Sequence, residues 1–271
     1  MRLFLATLRK LIRRPATFIT FGLLVGLMAL IFLAVGATAR QQPSAQGQQA
    51  ALLLLTFPGA YAFIISFILG LGGLFGVIYA AAIAGSEWTW GTLKAAVARG
   101  ESRSRYQLWS FAAIGLMLGI GLLGAFAIGV IVAIIGATMA GVSTAGLADS
   151  ATLGRMPELL ARGWLGVVEE GALGFAIATL ARSQLAGVGV GIAVYFGEQF
   201  ASIFLPDIVK YLPFNAASAI VAVSGGGGFG GGNGSRFARL DPDTALLVVV
   251  AWLIGALIVT TLFTERAEIS G

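Results

Sequence analysis

Along this chain, uncharged apolar runs alternate with shorter polar stretches, and the length of each run sets the element it can form. The run 18–37 carries no charge and has about the 20 residues that a helix needs to cross a bilayer core. It is too long for the core of a typical signal peptide and ends without a clean cleavage pattern, so it is expected to stay as a first crossing. No charge occurs over 51–84 either. As one straight helix that run would measure roughly 50 Å against a hydrocarbon core of about 30 Å. Pro58 and Gly59 are therefore read as a break, and 60–84 as the second crossing. Further crossings are expected at 109–139, 164–181, 185–205 and 245–263. The expectation is an all-α integral membrane protein, a single domain over 1–271, with six transmembrane helices.

The polar stretches set the orientation. Before the first crossing, Phe4, Leu8, Leu11 and Ile12 recur at helical spacing among Arg2, Arg9, Lys10, Arg13 and Arg14, the pattern of an interfacial helix beside anionic head groups. Between the second and third crossings lies the polar segment GSEWTWGTLKAAVARGESRSRY, 85–106. Within it, 92–99 reads as a short helix with Leu93, Val97 and the alanines on one side and Lys94 on another, closed by Gly100. Lys94, Arg99, Arg103 and Arg105 add to the basic N-terminus, so the positive-inside rule places both segments, and both termini, in the cytoplasm.

On the opposite side are expected a short Gln-rich loop after Arg40 and an exterior loop over 141–163 with Asp149, Arg155, Pro157, Glu158 and Arg162. The longest exterior segment is 206–244, whose VKYLPFNAASAIV portion is apolar enough to lie on or dip into the membrane. Its GGGGFGGGNG stretch, 225–234, lacks the Lys and the following helix of a phosphate loop and is read as a flexible linker. Gly72 with Gly76, Gly115 with Gly119 and Gly187 with Gly191 stand at GxxxG spacing, which marks helix faces able to approach closely.

Composition sharpens this picture. With 58% hydrophobic and 11% charged residues and a mean hydropathy of +0.93, the chain is far from the roughly 25% charge of soluble domains. The net charge of +5 is carried largely by residues flanking apolar runs, so it reports membrane orientation, and nucleic acid is not an expected partner. Cys and His are absent, which excludes disulfides, thiolate nucleophiles, imidazole bases and the usual zinc or haem ligands. No GxxxxGK[ST] loop occurs, so any ATP must bind another chain, and this chain is not expected to be an enzyme. Glu169 and Glu170 fall within the fourth crossing and Glu198 within the fifth. A carboxylate at the bilayer centre costs at least about 2.5 kcal/mol. These three are candidates for a substrate pathway or for hydrogen bonds between helices, the competing reading being that they reach the outer interface and water.

Gly85, Glu87, Gly91, Thr92, Leu93 and Lys94, followed by Ser102, Arg103 and Tyr106, resemble the first cytoplasmic loop of the permease subunits of ABC-2 type exporters. The turn TLARSQLAGVGVG, 179–191, is similar to the matching turn of that family. The resemblance implies that 92–99 is a coupling helix seated in a cleft of a separate ATPase subunit, with Glu87, Gly91, Thr92, Leu93, Lys94, Ser102 and Arg103 as the coupling residues. It implies two ATPase copies carrying ATP and Mg, no cofactor on this chain, and a second permease subunit, identical or related. It further implies a re-entrant helical piece within 206–244 and residence in the lipid of a prokaryotic cytoplasmic membrane. An ion-coupled secondary transporter with the glutamates as proton carriers, and a non-transporting membrane scaffold, stand as alternatives.

Overall fold

A computed structural model of the chain describes residues 2–221 and 240–267; the expected linker at 225–234 lies outside them. Among the described residues the secondary structure is helical, without strands. The basic amphipathic start forms α1 (Arg2–Ile12), with Leu11 buried and Leu5 and Ile12 exposed. Pro15, whose missing N–H costs nothing in a first turn, opens α2 (Pro15–Thr38). The chain then forms α3 (Ala45–Leu55), capped by the Ser44 hydroxyl accepting from Gly47 N at 3.1 Å.

Pro58 breaks the long apolar run as expected. After it, α4 (Gly59–Phe67) passes through a π-helical turn at Ile68–Gly72 into α5 (Gly73–Thr89). The short surface helix α6 (Thr92–Ala98) follows between Gly91 at φ 64° and Gly100 at φ 87°, left-handed conformations that glycine adopts without a Cβ penalty. The next element, α7 (Arg103–Met139), has 37 residues and at 1.5 Å per residue is about 55 Å long, so it must extend well past a bilayer core. The remaining helices are α8 (Ser150–Ala181), α9 (Gln184–Ala201), α10 (Pro206–Val209), α11 (Pro213–Ala219) and α12 (Pro242–Arg266).

Five of these, α2, α4–α5, α7, α8 and α12, are long and apolar enough to cross a membrane, so the chain reads as a multi-pass membrane protein. The expected span at 185–205 differs: α9 stops at Ala201, and with Gln184, Glu198 and Gln199 in 18 residues it is not among the five. The expected loop over 141–163 is also corrected, because helix begins at Ser150 and the expected 164–181 span is the second part of α8. Asp149 starts it, accepting from Thr152 N at 3.0 Å and from the Thr152 hydroxyl. Arg162, which resembles a loop residue by charge alone, bridges Glu158 at 2.9 Å and Asp243 of α12 at 3.1 Å.

The core sits between α4–α5 and α8, each 67% buried over its most apolar stretch against 17% to 22% for α2, α7 and α12. Small residues permit this. A Cβ at Gly174 would strike the Val77 backbone, and Gly187 and Gly191 of α9 lie directly against Ala178 and Val77. Of the three GxxxG pairs the one on α9 is therefore a close approach at both glycines, whereas a Cβ at Gly72 or Gly115 would meet ordinary contacts at 3.4 and 3.7 Å. The tightest crossing of α2 and α7 is Gly36 on Gly136, where an added Cβ would lie 2.6 Å from the Gly136 carbonyl oxygen.

The bundle has two distinct ends. One gathers α1, the end of α5, α6, the start of α7, the α8–α9 turn and the end of α12, where Arg103 Nη1 donates to Ala267 O at 2.7 Å and Glu265 O at 3.2 Å. The other is fastened by Arg40 Nε to Ala140 O at 2.6 Å and Tyr61 Oη to Leu147 O at 2.9 Å.

Candidate functional site

The short helix α6 rests on a polar knot centred on Glu87. This residue stands in the last turns of α5 and is 1% exposed, so its carboxylate needs partners from the protein itself. It finds them on three other parts of the chain: the Lys10 ammonium of α1 on Oε1, and the hydroxyls of Thr92 at the start of α6 and Tyr106 of α7 on Oε2. Thr92 Oγ1 also approaches the Glu87 carbonyl oxygen at 3.2 Å. One buried anion thereby ties four helices at one point.

Leu93, 1% exposed, points from α6 into the bundle beside Ala96; burying such a side chain contributes about 2 kcal/mol. The outward side of the same segment presents Trp90, 65% exposed, together with Lys94, Ala95, Ala98 and Arg99. Around its rim, Arg14 donates to Ser86 Oγ at 3.0 Å and its guanidinium carbon stands 4.9 Å from the Trp90 ring centre. Arg182 stands 5.2 Å from Trp88 and 5.4 Å from Phe263. These are cation–π distances that join the α8–α9 turn to α5 and α12.

The sequence-derived coupling residues divide by this geometry. Glu87 and Leu93 are buried and mount the helix from within; Gly91 supplies the turn; Thr92 closes the knot; Lys94 is on the outer face. Ser102 caps α7 by accepting from Arg105 N at 3.4 Å, and Arg103 fastens α7 to α12. Lys10 and Tyr106 complete the knot. Lys10 carried a signal as a basic residue of the amphipathic start, but nothing local pairs it with Glu87, which is 77 positions away.

The three glutamates of α8 and α9 are all buried within the chain, Glu169 0%, Glu170 1% and Glu198 3% exposed. Glu170 packs onto Gly73, where no Cβ could fit. Both oxygens of Glu169, Oε2 of Glu170 and Oε1 of Glu198 lack a hydrogen-bond partner among the described residues. Glu198 Oε2 accepts from Asn215 N at 3.2 Å and Asn215 Nδ2 at 3.1 Å, fastening α11 to α9. Among the described residues no group of three or more Asp, Glu, Cys or His is placed to hold a metal ion.

Compared with models of known protein families the chain matches none, and compared with curated protein sequences it likewise matches none.

Proposed function

We propose that this chain is the membrane-spanning permease subunit of an ATP-driven exporter of the ABC-2 type, with α6 as its coupling helix. The observation that carries the reading is the Glu87 knot: Trp90, in the turn before α6, and the outer face of α6 are exposed while the base of α6 is locked to α1, α5 and α7. A push on a loose loop dissipates in bending. A push on this helix is passed to three others through one buried, charge-assisted cluster.

In this reading the end of the bundle bearing α1 and α6 faces the cytoplasm of a prokaryotic cell, α9 is the short fifth of six crossings, and α10–α11 form a re-entrant piece between the fifth and sixth. Two ATPase subunits bind ATP and Mg and seat α6 of each permease, a second permease subunit completes the translocation path, and this chain performs no bond chemistry. Glu169, with both oxygens unpartnered, favours one competing reading, a proton-coupled transporter, which predicts flux with no ATPase present.

The test is purification of the tagged chain from its own membranes in mild detergent. ATP hydrolysis that copurifies with it, and that is lost in Trp90→Asp while the permease stays folded, supports the proposal. A folded permease that carries flux in vesicles and never brings an ATPase with it overturns the proposal in favour of ion coupling.

A further inference from the structure

A cavity of about 280 Å³ lies between the first turns of α2, the π-helical turn with α5, and the middle of α7. Small residues leave it open: Gly72 and Gly76 on one side and Gly121 and Gly124 on another belong to its lining, where Phe21, Phe75 and Leu118 supply most of the remaining surface. No charged residue lines it. Phe18 of α2 is 63% exposed and Ile120 of α7 is 53% exposed, so the space opens sideways between two helices that are each long and apolar enough to cross a membrane. What adjoins such an opening in a bilayer is hydrocarbon.

The hydroxyls in the wall ask nothing of an occupant. Thr17 Oγ1 donates to Leu11 O at 2.8 Å and lies 3.0 Å from Tyr79 Oη. With the Thr17 proton committed to Leu11, the Tyr79 hydroxyl is the donor of that second bond, and both protons are used within the chain. The rest of the lining is apolar and suits a hydrocarbon chain. By the volume of liquid water, roughly 30 Å³ per molecule, the cavity has room for about nine groups of methylene size. It runs along α2 from Thr17 to Leu24, about 10 Å at 1.5 Å per residue.

Charge distinguishes the two ends of this groove. The Thr17 end meets the last turn of α1 through the Leu11 carbonyl, and Arg13 and Arg14 immediately precede α2 there. Arg14 is engaged with Ser86 and Trp90. Arg13 and, one turn further back on α1, Arg9 are exposed, and neither carries an ion pair among the described residues. Exposed cations at the edge of a membrane-spanning helix attract anionic head groups. At the far end the groove closes on Leu24, Ile68 and Leu122, all apolar and buried.

We infer that this groove seats one acyl chain of an anionic phospholipid, with the phosphate beside Arg13 and Arg9 and the first part of the chain between α2, α5 and α7. The assignment does not depend on ATP-driven transport, because binding is measured on this chain alone.

The experiment titrates the full chain in mild detergent micelles with dioleoylphosphatidylglycerol, or with dioleoylphosphatidylcholine of the same chains, and counts retained lipid by native mass spectrometry. One phosphatidylglycerol per chain is expected to bind at least about fivefold more tightly than phosphatidylcholine. Gly121→Leu, whose Cβ would meet only Phe21 at 3.9 Å, places its side chain in the groove and is expected to weaken both lipids about tenfold. Gly22→Leu, outside the lining and with nothing within 4 Å, should change neither. The double variant Arg9→Gln, Arg13→Gln should lose the preference for phosphatidylglycerol and keep phosphatidylcholine binding. Glycerol phosphate alone, which offers the anion without the chain, is expected not to compete. Thermal unfolding in the same micelles confirms that each variant is folded. Equal binding of the two lipids to the unaltered chain, retention untouched by Gly121→Leu, a preference that survives the double variant, or displacement by glycerol phosphate overturns the inference. Should Gly121→Leu fail to fold, a phosphatidylglycerol bearing a diazirine in its acyl chain decides the location on the unaltered chain: adducts are expected on 17–24 and 117–124, and adducts spread evenly over the exposed apolar helices overturn the assignment. None of these outcomes bears on whether an ATPase docks at α6.

Discussion

Replacing Lys10 by Met and Glu87 by Gln, singly and together, measures how firmly the knot beneath α6 holds. The Glu87 side chain is 1% exposed and that of Lys10 is 30% exposed. Removing a partner from a buried ion pair costs about 3–5 kcal/mol, because the remaining charge is left uncompensated. In Lys10→Met the stranded charge is the inaccessible one, though the hydroxyls of Thr92 and Tyr106 still donate to it, so about 3 kcal/mol is expected. In Glu87→Gln the stranded ammonium can turn to water and the amide oxygen still accepts from a hydroxyl, so the loss is about 2 kcal/mol. With both charges gone no charge is stranded, and the double variant is expected to lose about 3 kcal/mol in total, a coupling of about 2 kcal/mol. Unfolding of the purified protein in mixed micelles by titrated denaturing detergent, followed by circular dichroism, gives the three values. Additivity within about 0.5 kcal/mol would refute the pairing and with it the rigid mount of α6.

Three further outcomes follow from the packing and the ends. Gly36→Val forces a side chain onto the Gly136 backbone and is expected to destabilise by about 1–3 kcal/mol; Gly26→Val, with nothing within 4 Å, should stay within about 0.5 kcal/mol in the same assay. Because the chain has no cysteine, single cysteines at Ser143 and Ala98 report on sidedness: an impermeant maleimide on intact cells is expected to label the first and to reach the second only after permeabilisation. At the start of α8, hydrogen bonds from the Thr152 hydroxyl and amide hold the Asp149 carboxyl below its usual range. That contribution is present above the ordinary Asp value of about 3.9 and is lost as pH falls through the lowered one, so amide protection at Thr152 should decline only in that acid range.

Much of the architecture was legible because it depends on local patterns. Pro58 broke the second run where expected, and α6 ran from Thr92 to Ala98 between two glycines whose positive φ sets its limits. The amphipathic α1 appeared with Leu11 inward and Ile12 outward. Partnerships across the chain were not legible. A polar loop residue such as Glu87 reads as exposed until Lys10, Thr92 and Tyr106 converge on it. The helix over 150–163 was hidden because Arg155, Glu158 and Arg162 look like loop residues, when Asp149 caps the helix and Arg162 pairs across to α12. Glycine spacing told which faces could approach but not what they met. Gly36 and Gly136, the tightest α2–α7 contact, lie outside every GxxxG pair singled out. Glu198 drew notice as an intramembrane charge; that one of its oxygens is held by Asn215 and the other left bare required the return of α11 beside α9.

The central claim is that α6 is the point at which an ATP-hydrolysing subunit grips this chain. The most direct measurement places a photoactivatable benzoylphenylalanine at Trp90, and as a control at Leu27, exposed on α2, in living cells and identifies the cross-linked polypeptides by mass spectrometry. The account predicts that Trp90 captures a protein bearing a phosphate-loop ATPase sequence and that Leu27 does not. An ATPase captured from neither position, in a chain shown to be folded and inserted, would contradict it.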